Sequence, residues 1–256
     1  MARFTKKVAV VTGASRGIGQ AICTAFSREG ATVVGVARGG LNGTSAKCPG
    51  GEFVAVHADL STGTKTAATD LISEVLKQTG RIDVLVNNAG VIRRAPAADF
   101  PENEWDEVLK TNLYAPFFLC QAVAKWWISD GRDKFATDSR LKIVNIASLL
   151  SFQGGILVPA YAASKHGIAG VTKALANEWA KERINVNAIA PGYIATDNTQ
   201  ALREDPVRSK AILERIPEAR WGKPEDIAGG CVFLASSDSD YLNGAILNID
   251  GGWLGR

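Results

Sequence analysis

Val8-Ala-Val-Val-Thr-Gly-Ala-Ser-Arg-Gly-Ile-Gly19 decides how the rest of the chain is read. Its first five residues are mostly β-branched and apolar, as in a buried strand, and an amphipathic helical pattern continues to about Arg28. Glycines at 13, 17 and 19 between strand and helix permit a tight turn, close backbone approach to a pyrophosphate and close helix packing. The free N–H groups and the dipole of the helix amino terminus favour the same anion. The spacing is Gly-x-x-x-Gly-x-Gly, which makes Gly13, Ser15, Arg16, Gly17, Ile18 and Gly19 the candidate phosphate-loop residues.

Outward from this unit, strand-like and helix-like patterns alternate. Strands are expected at Ala31-Thr-Val-Val-Gly-Val-Ala37, Glu52-Phe-Val-Ala-Val-His57, Ile82-Asp-Val-Leu-Val86, Leu141-Lys-Ile-Val-Asn-Ile-Ala147, Ile184-Asn-Val-Asn-Ala-Ile-Ala190 and Ala245-Ile-Leu-Asn-Ile249. Helices are expected over residues 64–78, over 105–127 with an interruption near Asn112, from Pro159 onward, and over 224–235. Such alternation implies a parallel sheet covered on both faces. With 256 residues and no internal repeat or linker, residues 1–256 form one α/β domain. Residues 39–51 are too rich in Gly and Ser for a full helix, and 130–140 read as an exposed polar loop. Residues 194–222 carry no dominant period and are expected to form a mobile lid over the site.

Composition narrows the function. A net charge of +3 without a Lys/Arg block argues against nucleic acid and weakly favours anionic small molecules. Four scattered cysteines and two histidines give neither a metal site nor a disulfide framework. No apolar run approaches a membrane span and no signal-peptide core is present, so a cytoplasmic enzyme is expected.

The chemistry centres on Ser148 to Lys165. Ser148 lies just beyond a strand's carboxyl end, where open parallel sheets bind ligands. Tyr161 and Lys165, four apart, share one helix face. Tyrosine ordinarily titrates near about 10, whereas acid–base work favours about 7, a gap of roughly 3 units or about 4 kcal/mol. One cation at about 4 Å, with an effective dielectric of about 20, supplies on the order of 4 kcal/mol. Ser148 adds a hydroxyl for an oxygen whose charge changes during reaction. Taken alone, a Tyr-x-x-x-Lys pair is usually ordinary helix surface; the glycine turn at the amino end changes that reading. Asn112 is locally unfavourable in a helix, which points to a functional reason for it.

Coenzyme preference is read at the second strand. An acid near its end would hold a ribose 2′-hydroxyl, but Ala37 stands there, followed by Arg38. Arg38 and Arg16 could pair with a 2′-phosphate, which favours NADP(H), with Arg38 as a merely solvated loop residue and NAD(H) as the alternative. Asp59 and Leu60 follow the third strand, where an adenine would be met.

Thr12-Gly-Ala-Ser-Arg-Gly-Ile-Gly19, Asn87-Asn-Ala-Gly90, Asn112, Ser148, Tyr161-Ala-Ala-Ser-Lys165 and Pro191-Gly192 stand in one order, and together they resemble the short-chain dehydrogenase/reductases over residues 4–254. The resemblance implies a Rossmann-type, doubly wound, seven-stranded parallel sheet with helices on both faces. It also implies a catalytic set of Asn112, Ser148, Tyr161 and Lys165. Tyr161 would exchange a proton with the substrate oxygen, Lys165 would lower its pKa and hold the nicotinamide ribose, and Asn112 would hold a relay water. Asn88, Ala89, Gly90, Pro191, Gly192, Ile194 and Thr196 would line the coenzyme channel. A homotetramer joined through the helices near 105–128 and 160–182 and near the carboxyl terminus is implied too. Trp126, Trp127 and Trp253 are compatible with such contacts or with the core.

Asn88-Ala-Gly-Val-Ile-Arg-Arg94, Ser151-Phe-Gln-Gly-Gly155, Arg220-Trp-Gly222 and Asp250-Gly-Gly-Trp-Leu254 are similar to a branch of that family acting on deoxy sugar acids. Members of that branch usually favour NAD, against the charge reading. A sugar-acid carboxylate would be met by Arg93, Arg94 or Arg220, and a hydroxyl by Gln153. The alternatives are a 3-oxoacyl-thioester reductase, a neutral-polyol dehydrogenase and, from another class, a non-catalytic nicotinamide-nucleotide sensor.

Overall fold

The computed structural model describes residues 2–136 and 138–255. Seven strands, β1 (Val8–Thr12), β2 (Thr32–Ala37), β3 (Phe53–His57), β4 (Val84–Asn87), β5 (Leu141–Ile146), β6 (Ile184–Pro191) and β7 (Ile246–Ile249), form one sheet. Their order is β3-β2-β1-β4-β5-β6-β7, and every pairing is parallel. The helices are α1 (Gly17–Arg28), α2 (Asn42–Ser45), α3 (Lys65–Thr79), α4 (Glu102–Leu109), α5 (Ala115–Trp126), α6 (Arg132–Lys134), α7 (Pro159–Trp179), α8 (Gln200–Glu204), α9 (Pro206–Arg215) and α10 (Pro224–Ala235).

Both faces of the sheet are covered, which is why the central strands read as unbroken apolar runs. On one face Ala9, Val11, Val33, Val84, Val144 and Ile189 pack with Ile22 and Phe26 of α1 and Ile227 and Cys231 of α10. On the other, Val10, Val34, Leu85, Ile143 and Val186 pack with Val75 of α3, Leu119 and Val123 of α5 and Leu175 of α7. Strand order reverses between β1 and β4, so their carboxyl ends open the crevice where this topology binds ligands.

Strand limits shift by a residue or two from those expected. The segment after Arg38 condenses into the single turn of α2. One loop expectation is corrected. Residues 130–140 include α6, whose Arg132 pairs with Glu182, while Phe135 stacks on the buried Trp127 with ring centroids 6.1 Å apart. Residues 194–222 are largely helical: a turn at Asp197–Thr199 is followed by α8 and α9. Their period is hidden because each piece is short, and in α9 only Ile212 is buried. Asp205 caps α9, accepting hydrogen bonds from the Val207 and Arg208 N–H groups.

Among the described residues, no helix is long and apolar enough to cross a membrane. All four cysteines are free and buried; burial pushes the thiols of Cys23, Cys120 and Cys231 upward, that of Cys120 to about 12. They pack as small apolar residues.

Candidate active site

The glycine turn behaves as its spacing requires. Gly13 has φ +66°, and a Cβ there would lie 2.9 Å from the Ala89 Cα. A Cβ on Gly19 would lie 2.2 Å from the Gly13 carbonyl oxygen, so only hydrogen fits between the turn and α1. Arg16 caps α1 without a side-chain bond to the helix, which leaves the first-turn N–H groups to a phosphate. Asn88, at the end of β4, donates through Nδ2 to the carbonyls of Thr12 (2.9 Å) and Gly13 (3.2 Å), tying the two sides of the crevice together.

A cleft of about 500 Å³ runs along these carboxyl ends. It is lined by every coenzyme residue expected from the sequence: Gly13, Ser15, Arg16, Gly17, Ile18, Gly19, Arg38, Asp59, Leu60, Asn88, Ala89, Gly90, Tyr161, Lys165, Pro191, Gly192, Ile194 and Thr196. Ser148 lines it as well. The sequence reading missed Thr111, Asp197, Asn198 and Thr199, which also face it. Thr196-Asp-Asn-Thr199 carries the visible signal for the last three, a turn closed at both ends by Thr hydroxyls.

Tyr161 and Lys165 lie in the first turns of α7, and the Lys165 Nζ is 5.5 Å from the centroid of the phenol ring. The expected acidification of Tyr161 by Lys165 is corrected. Burial raises the Tyr161 pKa above its ordinary value, and the hydrogen bond with Ser148 and the charge of Arg94 lower it only in part. The amine instead donates to the Ile146 carbonyl at 2.6 Å, and burial lowers its own pKa to about 8. The sequence argument counted the attraction of a full charge and omitted desolvation, which acts on both groups. Tyr161 is therefore a neutral proton donor at pH 7, hydrogen-bonded to Ser148.

Asn112 sits in a π-helical stretch, Lys110–Tyr114, between α4 and α5. Its amide accepts from the Val91 N–H (2.9 Å) and donates to the Val91 carbonyl (2.9 Å) and to Ser164 Oγ (3.2 Å). Both amide protons are engaged and the side chain is buried, so the amide braces the Asn88–Val91 wall against α7. A second buried chain, Asn87 to Asn145 (2.9 Å) to Thr172 (3.0 Å), ties β4, β5 and α7 together.

The four residues expected at the substrate separate clearly. Arg93 is engaged by Glu107 at 2.7 Å and Arg220 by Asp226 at 2.7 Å, and Gln153 accepts from the Trp253 indole at 3.0 Å. None of these three lines the cleft, and neither does Arg94. Arg94 is exposed, donates among the described residues only to the Asn198 carbonyl at 3.2 Å, and acts electrostatically on Tyr161. It is the one arginine of the set whose charge reaches the phenol.

A glycine cradle closed to any Cβ, an uncapped helix terminus over it, and a neutral phenol with its serine at the far end fit a dinucleotide and a carbonyl or alcohol beside it. Over residues 7–207 the chain matches the family model described as short chain dehydrogenase. It belongs to the short-chain dehydrogenase/reductase family, as an oxidoreductase that works with a nicotinamide cofactor and a small-molecule substrate.

Among its relatives, the 2-dehydro-3-deoxy-D-gluconate 5-dehydrogenases of Escherichia coli K12 and Dickeya dadantii 3937 are 50% and 49% identical over 252 residues. These matches cover 98% of this chain and 96% of each relative. A solved chain from Agrobacterium tumefaciens, a candidate 2-deoxy-D-gluconate 3-dehydrogenase with bound NADP, is 52% identical, with a TM-score of 0.90 and 98% of both chains covered. A gluconate 5-dehydrogenase from Burkholderia cenocepacia J2315, in complex with NADP and tartrate, is 31% identical, with a TM-score of 0.87 and 99% and 97% covered.

Proposed function

We propose that this chain interconverts a hydroxyl and a ketone on a deoxy sugar acid of the 2-dehydro-3-deoxy-D-gluconate kind, with NADP(H) as coenzyme. The observation that carries the substrate reading is Arg94, whose charge acts on Tyr161 and for which no acidic partner is found among the described residues. A carboxylate a few atoms from the reacting carbon would supply that partner. The names of the relatives point to the same substrate class.

The coenzyme supplies or takes up a hydride at the substrate carbon. Gly13, Gly17 and Gly19 with the α1 terminus would hold its pyrophosphate, Asp59 and Leu60 its adenine side, Asn88 to Gly90 and Pro191 to Thr196 its nicotinamide side. Lys165 would hold the ribose with its ammonium. Tyr161 gives its proton to the substrate oxygen as negative charge develops there, leaving a phenolate, and the reverse direction runs from that phenolate, which takes the proton of the alcohol. Ser148 hydrogen-bonds that same oxygen and orients it. Arg38, exposed at the end of β2 with Ala37 before it, supports NADP(H), as do NADP-bound neighbours.

Initial rates with both coenzymes on a panel of a deoxy keto sugar acid, a neutral ketose and a 3-oxoacyl thioester test this reading. Arg94→Ala is expected to raise KM for the sugar acid by roughly tenfold or more, the order of one charge-assisted pair, and to leave the neutral ketose within about twofold. Equal effects on both would refute the assignment of Arg94. Turnover confined to the thioester would replace the substrate class.

A further inference from the structure

We propose that Asp197 sets the coenzyme preference by competing with the coenzyme's 2′-phosphate for Arg16; this rests on the NADP(H) reading above. Arg16 Nε lies 3.1 Å from Asp197 Oδ2. Arg16 belongs to the glycine turn before α1, and Asp197 opens the turn that follows β6. Both line the cleft, so the ion pair links the glycine turn to the segment after β6.

Of the two partners, Arg16 is the one free to move. The turn that carries Asp197 is braced by Thr199 Oγ1, which donates to the Ile194 carbonyl at 2.6 Å and accepts from the Thr196 N–H at 3.2 Å. From the other side, Arg94 donates to the Asn198 carbonyl at 3.2 Å. The Arg16 side chain is 76% exposed and, among the described residues, is held only at its guanidinium. Two anions, the Asp197 carboxylate and an incoming 2′-phosphate, therefore draw on one cation. NADP(H) recovers the Arg16 interaction through its phosphate; NAD(H) offers nothing in exchange, and the ion pair stays closed. Asp197 thus holds selectivity for the phosphorylated coenzyme below what Arg16 and Arg38 would give together, which makes it a specificity-determining residue.

The test is a set of NADPH and NADH dissociation constants, by coenzyme fluorescence at low ionic strength, for the full chain, Asp197→Asn, Arg16→Gln and the double variant. An exposed pair limits the effect, so Asp197→Asn is expected to tighten NADPH about fivefold and NADH less than twofold. In the Arg16→Gln background the NADPH gain should vanish, the coupling a double-mutant cycle isolates. Half-molar salt should collapse the difference. Equal tightening of both coenzymes, no change, or an NADPH gain that survives loss of Arg16 would overturn the proposal, the last by showing general repulsion rather than competition. Failure of the coenzyme reading itself looks different: the parent chain would bind NADH more tightly, and Arg38→Ala would leave NADPH affinity unaltered. Melting curves of each variant confirm that the exposed substitutions leave folding intact.

Discussion

Tyr161 and Lys165 show how burial governs a reactive pair. The phenol has Ser148 as its hydrogen-bond partner and stays protonated, while the ammonium is bound to the Ile146 carbonyl and weakened to about 8. Tyr161→Phe keeps the ring and removes only the hydroxyl; turnover should fall by roughly 10²–10⁴-fold with an unchanged melting temperature. Lys165 gives a pH signature. If its ammonium holds the coenzyme ribose, affinity should weaken as pH rises through about 8, and Lys165→Met should flatten that profile in a fluorescence titration. The stability sign follows from the same shift. An unfolded lysine keeps its proton to about 10.5 and the folded one only to about 8, so across that window the unfolded state binds more protons and stability climbs with pH. Lys165→Met should remove that climb from denaturant titrations at pH 8 and pH 10.

At the scale of elements, the site depends on how α4, α5 and α7 are fastened to the sheet. The π-helical stretch Lys110–Tyr114 aims Asn112 at Val91 and Ser164, spanning the coenzyme wall and the catalytic helix. Asn112→Ala strands the half-buried N–H and carbonyl of Val91 and should cost about 1–3 kcal/mol, a drop of roughly 2–12 °C in melting temperature, with kcat and KM both impaired. An unchanged melt with lowered kcat would return the residue to a purely chemical role. The glycine turn offers a second check. At Gly19 an added methyl meets the Gly13 carbonyl oxygen at 2.2 Å, backbone against backbone, so Gly19→Ala should lose coenzyme binding before it loses the fold, as read by titration beside circular dichroism. Element positions were largely legible from hydrophobic period, because a sheet covered on both faces demands apolar strands and striped helices. The helices of 194–222 were not, since α8 and α9 are short and bury few residues.

The whole molecule adds a question of assembly. Trp127 and Trp253 are buried within the chain, and Trp126 is packed against the same core as Trp127, so none of them needs a partner subunit. Tyr114 is 45% exposed at the start of α5, with Phe117 and Phe118 half-buried beside it. We propose that this face joins copies of the chain in a homotetramer. Sedimentation velocity should give a mass near four chains, and Tyr114→Glu should shift it downward; a monomer at micromolar concentration would reject the assembly.

Sequence by itself determined the order of strands and helices, the glycine turn, and the presence of Ser148, Tyr161 and Lys165 at carboxyl ends of the sheet. Those features are local: period, turn geometry and four-residue spacing are written within a few neighbours of each residue. Only tertiary structure decided what depends on distant partners. It engaged Arg93 with Glu107 and Arg220 with Asp226 while holding Arg94 on the Asn198 carbonyl, set Asp197 against Arg16, and reversed the expected pKa shift of Tyr161. Charge pairing and desolvation act through space, between residues as near in the chain as Arg220 and Asp226 and as far as Arg16 and Asp197, and hydrophobic period does not record which cation will meet which anion, or how deeply a hydroxyl will be buried.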